Sequence, residues 1–415
     1  MSLDVLVVGG GVVGAASAYY LAEAGAKVTV IERGEFGRAC SHGNCGYVSP
    51  SHILPLCQPG AVTRVLKTMF RRNSPVYLKP RLSWSLFSWL WRFASRCNRA
   101  DMLEAGKARQ ALLDSSRQFY GELFDSSVLT ECDWETIGLM FVFLGEKSFE
   151  HYRETDHLLR QEFGLGAIPY TGAALQQLEP ALKPNVHGAF LYECDAHLKS
   201  DKLMAAWKRA LQLRNVEIRE HCELQKLEKS GNRVSGVVTS TGRLQPEQIV
   251  IATGAWSPLL QSQLGCTIPI QPGKGYSITM PRPERCPKYP MIFEEHRVAV
   301  TPMKETFRIG STMEFAGYDD SLNRNRLQIL TSGAQHYLHT PTAEPRYEEW
   351  WGWRPMSCDG KPIIGRPRGL NNVCLATGHS MLGVSMATGT GKLVTELLTD
   401  STPHVDPHPY RVDRF

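Results

Sequence analysis

Six residues near the start, Gly9-Gly10-Gly11-Val12-Val13-Gly14, follow the apolar run Val5 to Val8 and lead into a segment rich in Ala, Leu and Tyr. This is the order that a dinucleotide pyrophosphate requires. Gly9 permits the tight turn, Gly11 lets backbone approach the phosphates, and Gly14 lets helix and sheet pack closely. Val12 and Val13 open the helix, whose free N–H groups and positive dipole end face the anion. Glu32 and Arg33 end the next β-branched run, Lys27 to Ile31. There the carboxylate can accept hydrogen bonds from ribose hydroxyls. A glycine turn of no consequence would not come with strand, helix and acid in this order.

Two later segments favour a flavin over a nicotinamide. Ile249 to Ala252 runs into Thr253, Gly254 and Trp256; Val373 to Ala376 runs into Thr377, Gly378 and His379, with helix-compatible sequence from Gly383 to Leu398. The N-terminus of that last helix would face the N1–C2 carbonyl edge of a flavin, where its dipole stabilises negative charge.

These residues need elements to hold them. Residues 4–32 read as β-α-β, 60–120 as mostly helical, and 195–213 as an amphipathic helix. Residues 233–252 read as a β-meander and 268–316 as antiparallel strands, with strand-to-helix signals returning after 372. Nucleotide-type elements at the start, middle and end predict two interleaved domains. The expected fold class is α/β (α+β overall). A Rossmann-like FAD-binding domain takes 1–50, 195–265 and 345–415, and an antiparallel-sheet substrate domain takes 51–194 and 266–344.

Composition excludes other classes. The 415 residues carry 46 Lys and Arg against 41 Asp and Glu, a net +5 that is too small for a protein that coats nucleic acid. The 11 cysteines contain no C-x-x-C, which argues against a zinc ribbon or disulfide scaffold and for a reducing environment. No metal-ligand cluster stands out. No secretory signal and no apolar run of transmembrane length is expected, so the reading is cytoplasmic, soluble or peripheral on the cytoplasmic face of the inner membrane. One stretch is unusual. Between Gly60 and Ala100 lie Arg64, Lys67, Arg71, Arg72, Lys79, Arg81, Arg92, Arg96 and Arg99 without a single acid, so this segment carries +9 and the remainder −4. Leu82, Trp84, Leu86, Phe87, Trp89, Leu90, Trp91 and Phe93 lie within it. Such a basic aromatic helix predicts either a peripheral membrane contact or a core helix ringed by solvated arginines.

Taken in order, several segments resemble the D-amino-acid oxidase-like FAD flavoproteins, most closely the bacterial D-amino-acid dehydrogenases. They are the glycine cluster, Ser41-His42-Gly43-Asn44-Cys45-Gly46-Tyr47-Val48-Ser49-Pro50, Lys274-Gly275-Tyr276-Ser277, Gly310 to Glu314, Gly352-Trp353-Arg354-Pro355-Met356-Ser357-Cys358-Asp359-Gly360, Thr377-Gly378-His379 and Tyr410 to Phe415. The resemblance implies non-covalent FAD and oxidative deamination of a D-amino acid. Hydride would pass from Cα to flavin N5, the imino acid would hydrolyse to keto acid and ammonia, and electrons would go to a quinone or other acceptor. Arg354 would bind the substrate carboxylate, for which a guanidinium fork is suited. Tyr276 and His52 are the other catalytic candidates. Ser41, Asn44, Cys45, Gly46, Tyr47, Val48, Leu224, Met381, Leu382 and Gly383 join the cofactor-binding set.

Three positions depart from the family. Gly352 stands where sarcosine oxidases attach flavin through a cysteine. Met381 stands where glycine oxidase-like enzymes have an arginine. Cys358 replaces the usual proline and reads as a buried, inert thiol. D-proline or hydroxy-D-proline dehydrogenation, a glycine or sarcosine oxidase, and a non-catalytic FAD-holding subunit remain as alternatives.

Overall fold

The computed structural model describes residues 3–63 and 74–415. β1 (Asp4–Val8) and β2 (Lys27–Ile31) are β-branched runs buried along most of their length, as parallel strands covered on both faces must be. Between them α1 (Val12–Glu23) ends just before Gly25, whose φ of +85° suits a residue without Cβ. Further along come α2 (Trp84–Ser95), α3 (Arg99–Asp125), α4 (Ser200–Gln212), β3 (Gln248–Ile251), β4 (Ile270–Pro281), β5 (Thr306–Phe315), β6 (Glu348–Ser357), β7 (Val373–Thr377) and α5 (Gly383–Leu398).

Two large sheets organise the molecule. The first has six strands in the order Ile363–Gly365, β7, β3, β1, β2, Glu217–Arg219, all parallel except the first, which is antiparallel to β7. The second has nine strands, with β4 antiparallel to both β5 and β6 at one side. α1 and α5 cross so closely that a Cβ on Gly391 would lie 2.6 Å from the Ala16 carbonyl carbon.

Local expectations and the structure differ in four places. The 195–213 helix starts only at Ser200, because Ala196–His197 pairs with Tyr47–Val48. Within 60–120, Val76–Leu78 is a strand beside β5. α3, expected with the substrate domain, buries Leu112, Leu113, Tyr120 and Leu123 in the same core as α1 and α5. Tyr120 donates to the Val384 carbonyl at 2.9 Å, and Ser116 bonds Thr388 at 2.7 Å. β6, expected with the FAD domain, is instead an edge strand of the nine-stranded sheet, since its full length pairs with β4.

The basic aromatic segment divides between core and surface. α2, capped by the Ser83 hydroxyl on Leu86 N–H, buries Leu86 and Trp89 against Met313, Phe315, Met356 and Cys358. Its outer side, with Leu82 before it, still leaves Leu82, Trp84, Phe87 and Trp91 exposed by 107, 81, 58 and 73%. Arg64, Lys67, Arg71 and Arg72 lie outside the described residues. Among the others, Lys79 pairs with Asp319, Arg96 with Asp101 and Arg99 with Glu162, so acids from elsewhere offset much of the local charge. Among the described residues, no helix is long and apolar enough to cross a membrane.

Candidate functional site

The carboxyl ends of β1, β3 and β7 and the end of β2 open onto one cleft with an empty volume of about 1290 Å³. Its lining runs from Gly9, Gly11, Val12 and Val13 past Glu32 and Arg33 to Arg354 and the start of α5 at Gly383. The glycines divide the work as the fingerprint requires. Gly9 takes φ +113°, and a Cβ on it would lie 2.5 Å from the Ala252 carbonyl oxygen. A Cβ on Gly14 would lie 1.9 Å from the Gly9 carbonyl oxygen, so Gly14 is a packing residue and does not line the cleft. Gly11, by contrast, faces the cleft, where an added Cβ would touch only the Ser41 hydroxyl at 3.5 Å.

Glu32 is fixed by two backbone donors, Gly10 N–H at 2.8 Å and Gly34 N–H at 3.0 Å, on different carboxylate oxygens. Each oxygen keeps a lone pair for a ligand hydroxyl. Beside it the Arg33 guanidinium lies 4.0 Å over the Trp256 ring, forming one wall with Leu224. Ser41 accepts from Val12 N–H at 3.0 Å and so ties the 40–46 loop to the start of α1. The indole N–H of Trp353, a residue only 6% exposed on the cleft wall, has no acceptor among the described residues. An orphaned buried donor, a glycine cradle and an oriented ribose-type carboxylate together fit FAD.

At the other end of the cleft, β6 meets the turn before α5. Ser380, at φ +53°, donates its N–H to the Pro355 carbonyl at 3.0 Å. This bond sets Arg354 close to the N-terminus of α5. The Arg354 side chain lies over Gly275, where a Cβ would stand 2.4 Å from the guanidinium carbon; only glycine leaves it room. Its Nη1 donates to the Thr312 carbonyl at 2.7 Å, and among the described residues it forms no ion pair. The acids near it in sequence are engaged elsewhere, Glu348 with His42, Glu349 with Arg324 and Arg346, and Asp359 with Arg414. Burial pulls the Arg354 pKa below its usual value, with the Cys40 and Cys45 thiols as opposing neighbours. Ser311 and Thr312 both have positive φ, at +98° and +50°, where the β4–β5 register shifts. The bulge turns the Thr312 carbonyl towards Arg354, and strained backbone of this kind gathers at functional sites.

Tyr276 requires a correction. Strand residues alternate faces, so Gly273 and Gly275 share the Arg354 side of β4 while Tyr276 points to the other. It is 1% exposed in the core of the nine-stranded sheet, with its hydroxyl donated to Glu314. His52 does not line the cleft either. Its ring packs on Phe141 at 5.4 Å, and burial lowers its pKa to about 4.

Of the predicted cofactor residues, Gly9, Gly11, Val12, Val13, Glu32, Arg33, Ser41, Asn44, Leu224, Thr253, Gly254, Trp256, His379, Met381 and Gly383 line the cleft. Cys45, Gly46, Tyr47, Val48, Gly378 and Leu382 stand behind that lining, because each is held by packing or by its own bonds. Gly46 approaches the Leu198 carbonyl, Tyr47 donates its hydroxyl to the Met291 and Val300 carbonyls, and Val48 is core. His379 bonds Thr390 at 2.9 Å, and burial lowers its pKa to about 3, so it is neutral. Burial also pushes the Cys358 thiol up to about 12, which leaves it unreactive near neutrality. Cys40, Trp353 and Ser380 line the cleft without having been predicted. The alternation of β6 and the residue after Gly378-His379 carried the only available hints.

A profile of the family described as "FAD dependent oxidoreductase" matches residues 4–397. The chain is 33% identical over 423 residues to a D-amino acid dehydrogenase of Paramagnetospirillum magneticum, covering 100% of this chain and 99% of that one. It is 32% identical to the protein of the same name from Granulibacter bethesdensis, with both chains covered completely. Among solved structures, a glycine oxidase from Geobacillus kaustophilus superposes with a TM-score of 0.79 at 21% identity, covering 99% of this chain and 98% of its own. An L-proline dehydrogenase from P. horikoshii gives 0.75 at 19% identity, covering 100% and 98%.

Proposed function

Because this chain belongs to the FAD dependent oxidoreductase family, we propose that it is a D-amino-acid dehydrogenase that oxidatively deaminates its substrate and passes the electrons to a quinone or a similar acceptor. The observation that carries this reading is Arg354. It is a largely buried guanidinium without a counter-ion among the described residues, set in the cleft wall beside the N-terminus of α5. A bidentate pair with the substrate α-carboxylate satisfies it and fixes the amino acid in one orientation.

FAD, when bound, supplies the two-electron acceptor for the Cα–H bond. The chain's own residues then do three things. Arg354 orients the carboxylate, and the Thr312 carbonyl holds Arg354. The α5 N-terminus offers N–H groups and positive potential to the electron-rich end of the cofactor. Trp353 and Met381 narrow the site and exclude water. The imino acid leaves and hydrolyses to keto acid and ammonia. Non-covalent attachment is part of the reading: a side chain at Gly352 would meet the Trp350 ring at 2.3 Å, so this position holds no linking residue. In functional terms we assign 1–50, 195–265 and 345–415 to the cofactor and 51–194 and 266–344 to the substrate, save that α3 packs with the cofactor core and β6 serves both.

The exposed aromatic side of α2, with Arg92 on the same helix, is the proposed contact with an anionic membrane that holds the quinone, on its cytoplasmic face. Anaerobic bleaching of the bound flavin by a panel of D- and L-amino acids, glycine and sarcosine tests the reaction. D-amino acids should bleach it and L-amino acids should not; bleaching by glycine or sarcosine alone overturns the assignment. Acid precipitation should leave the yellow colour in the supernatant.

A further inference from the structure

What holds the Thr312 carbonyl against Arg354 lies outside the cleft. The 312–313 peptide is engaged on both edges. Its carbonyl accepts from Arg354 Nη1 at 2.7 Å, and its N–H, that of Met313, donates to the Pro75 carbonyl at 2.8 Å. In a trans peptide these groups point in opposite directions, so an N–H fixed on Pro75 aims the carbonyl at Arg354. The conformation is an unfavourable one. Thr312 is β-branched at φ +50°, after Ser311 at +98°, and such backbone returns to the extended region unless contacts hold it.

Those contacts converge on Pro75, just ahead of the strand Val76–Leu78 beside β5. Its carbonyl accepts from the Thr312 hydroxyl at 3.0 Å, from Met313 N–H, and from Arg326 Nη2 at 3.0 Å. Arg326, on the helix Arg324–Gln335, is 1% exposed. It also donates Nη1 to the Ser74 carbonyl at 2.7 Å and Nη2 to the Met313 carbonyl at 2.9 Å. One planar guanidinium thus ties residues 74–75 to β5 and sets their separation; a lysine ammonium, a single point of donation, lacks that fork. Neither Thr312 nor Arg326 lines the cleft.

We propose that Thr312 and Arg326 are positioning residues for the substrate α-carboxylate. Arg326 pins Ser74 and Pro75, Pro75 locks the 312–313 peptide, and that peptide orients the Arg354 guanidinium. This role rests on Arg354 binding the carboxylate. An arginine free to swing loses that freedom each time a substrate binds, whereas one already held binds at lower entropic cost. The effect falls on affinity more than on the chemical step, and it is common to all amino-acid substrates.

The test is anaerobic flavin reduction of the holoenzyme by D-alanine, followed as limiting rate, apparent dissociation constant and their ratio. Thr312→Val removes the hydroxyl bond and keeps the branched shape, so the strained backbone should relax. The dissociation constant should rise about 3- to 10-fold, as loss of one hydrogen bond implies, and by more than any fall in the limiting rate. Thr312→Ser, which keeps the hydroxyl, should restore most of the affinity, and Arg326→Lys should show the same selective loss as Thr312→Val. In an Arg354→Leu background Thr312→Val should lower the ratio by less than about twofold, because residues that act through one another are not additive. An unchanged dissociation constant in Thr312→Val, a limiting rate that falls as far as the affinity, or the full loss repeated in the Arg354→Leu background would overturn the proposal. Should Arg326→Lys not fold, the two Thr312 variants decide alone. Arg354→Leu that binds D-alanine as tightly as the wild type removes the Arg354 reading itself, a result distinct from a silent Thr312→Val beside a defective Arg354→Leu.

Discussion

The two ends of the cleft are built in opposite ways. At the pyrophosphate end, Gly9, Gly11, Gly14 and Glu32 fall within one β-α-β unit and act mainly through backbone: a positive φ, a close carbonyl, N–H groups on a carboxylate. At the other end, Arg354, Ser380 and Met381 come from β6 and the turn before α5, and act through side chains. The first end tolerates almost no added volume at Gly9 and Gly14 and recognises something common to all dinucleotides. The second is set by which charges are left unpaired, and recognition of a particular substrate resides there.

Arg354→Leu should break the second end alone. Loss of a bidentate charged pair costs roughly 2–5 kcal/mol, about 30- to several-thousand-fold in kcat/KM, for every amino-acid substrate. Flavin content should stay unchanged in its absorbance spectrum, and unaltered kinetics would make Arg354 structural. Gly14→Ala breaks the first end. Its Cβ, 1.9 Å from a carbonyl oxygen, must separate α1 from β1 and should cost about 3 kcal/mol or more in stability, read as a lower thermal midpoint and lost FAD. Gly11→Ala sharpens the contrast, since its nearest neighbour is the Ser41 hydroxyl at 3.5 Å. That variant should fold normally and lose only cofactor affinity.

Acid should weaken the fold in a defined window. Burial lowers His52 and His197 to about 4 and His379 to about 3, from 6.5. Between these values the unfolded chain binds protons that the folded chain does not. The stabilisation is therefore complete above about pH 6.5 and declines as pH falls towards 4, by up to roughly 3 kcal/mol for each histidine. Asp195 acts in the opposite sense. Burial raises it from 3.8 to about 7, so its contribution is greatest below 3.8 and disappears as pH rises through 7. Thermal midpoints measured from pH 7 to 4.5 should fall, and His379→Gln should reduce the slope. A flat profile would contradict the buried neutral imidazoles.

Smaller effects separate the walls from the anchors. Arg33→Ala removes the cation–π contact with Trp256 and should weaken FAD binding by about 0.5–1 kcal/mol, measured by fluorescence titration. Replacing Trp84, Phe87 and Trp91 together by Ser should change stability by no more than about 0.5 kcal/mol per site, because all three are exposed. The same variant should lose salt-sensitive binding to anionic vesicles. Retained binding would free α2 of that role.

Legibility followed the same division. Gly9 to Gly14 and Glu32 could be read directly because their partners lie within a few tens of residues and backbone geometry leaves few alternatives. Tyr276 was misplaced because a strand's period of two shows that neighbours point to opposite faces but not which face meets the cleft; pairing of β4 with β6 decided that. Arg109 belongs to no recognisable motif. Its spacing from Ala105, Leu112 and Ser116, all buried on α3, was the one signal that it lay on the core side.

The sequence alone thus determined the nucleotide-binding unit, the two-sheet class and the arginine suited to a carboxylate, because these rest on local period, glycine sterics and residue chemistry. Tertiary structure decided that Glu348 and Glu349 are engaged elsewhere and leave Arg354 free, that α2 is half core and half surface, and that Arg109 is buried beside the Ser380–Met381 turn. Whether a charge is paired or buried depends on residues hundreds of positions away, and no local pattern encodes that distance.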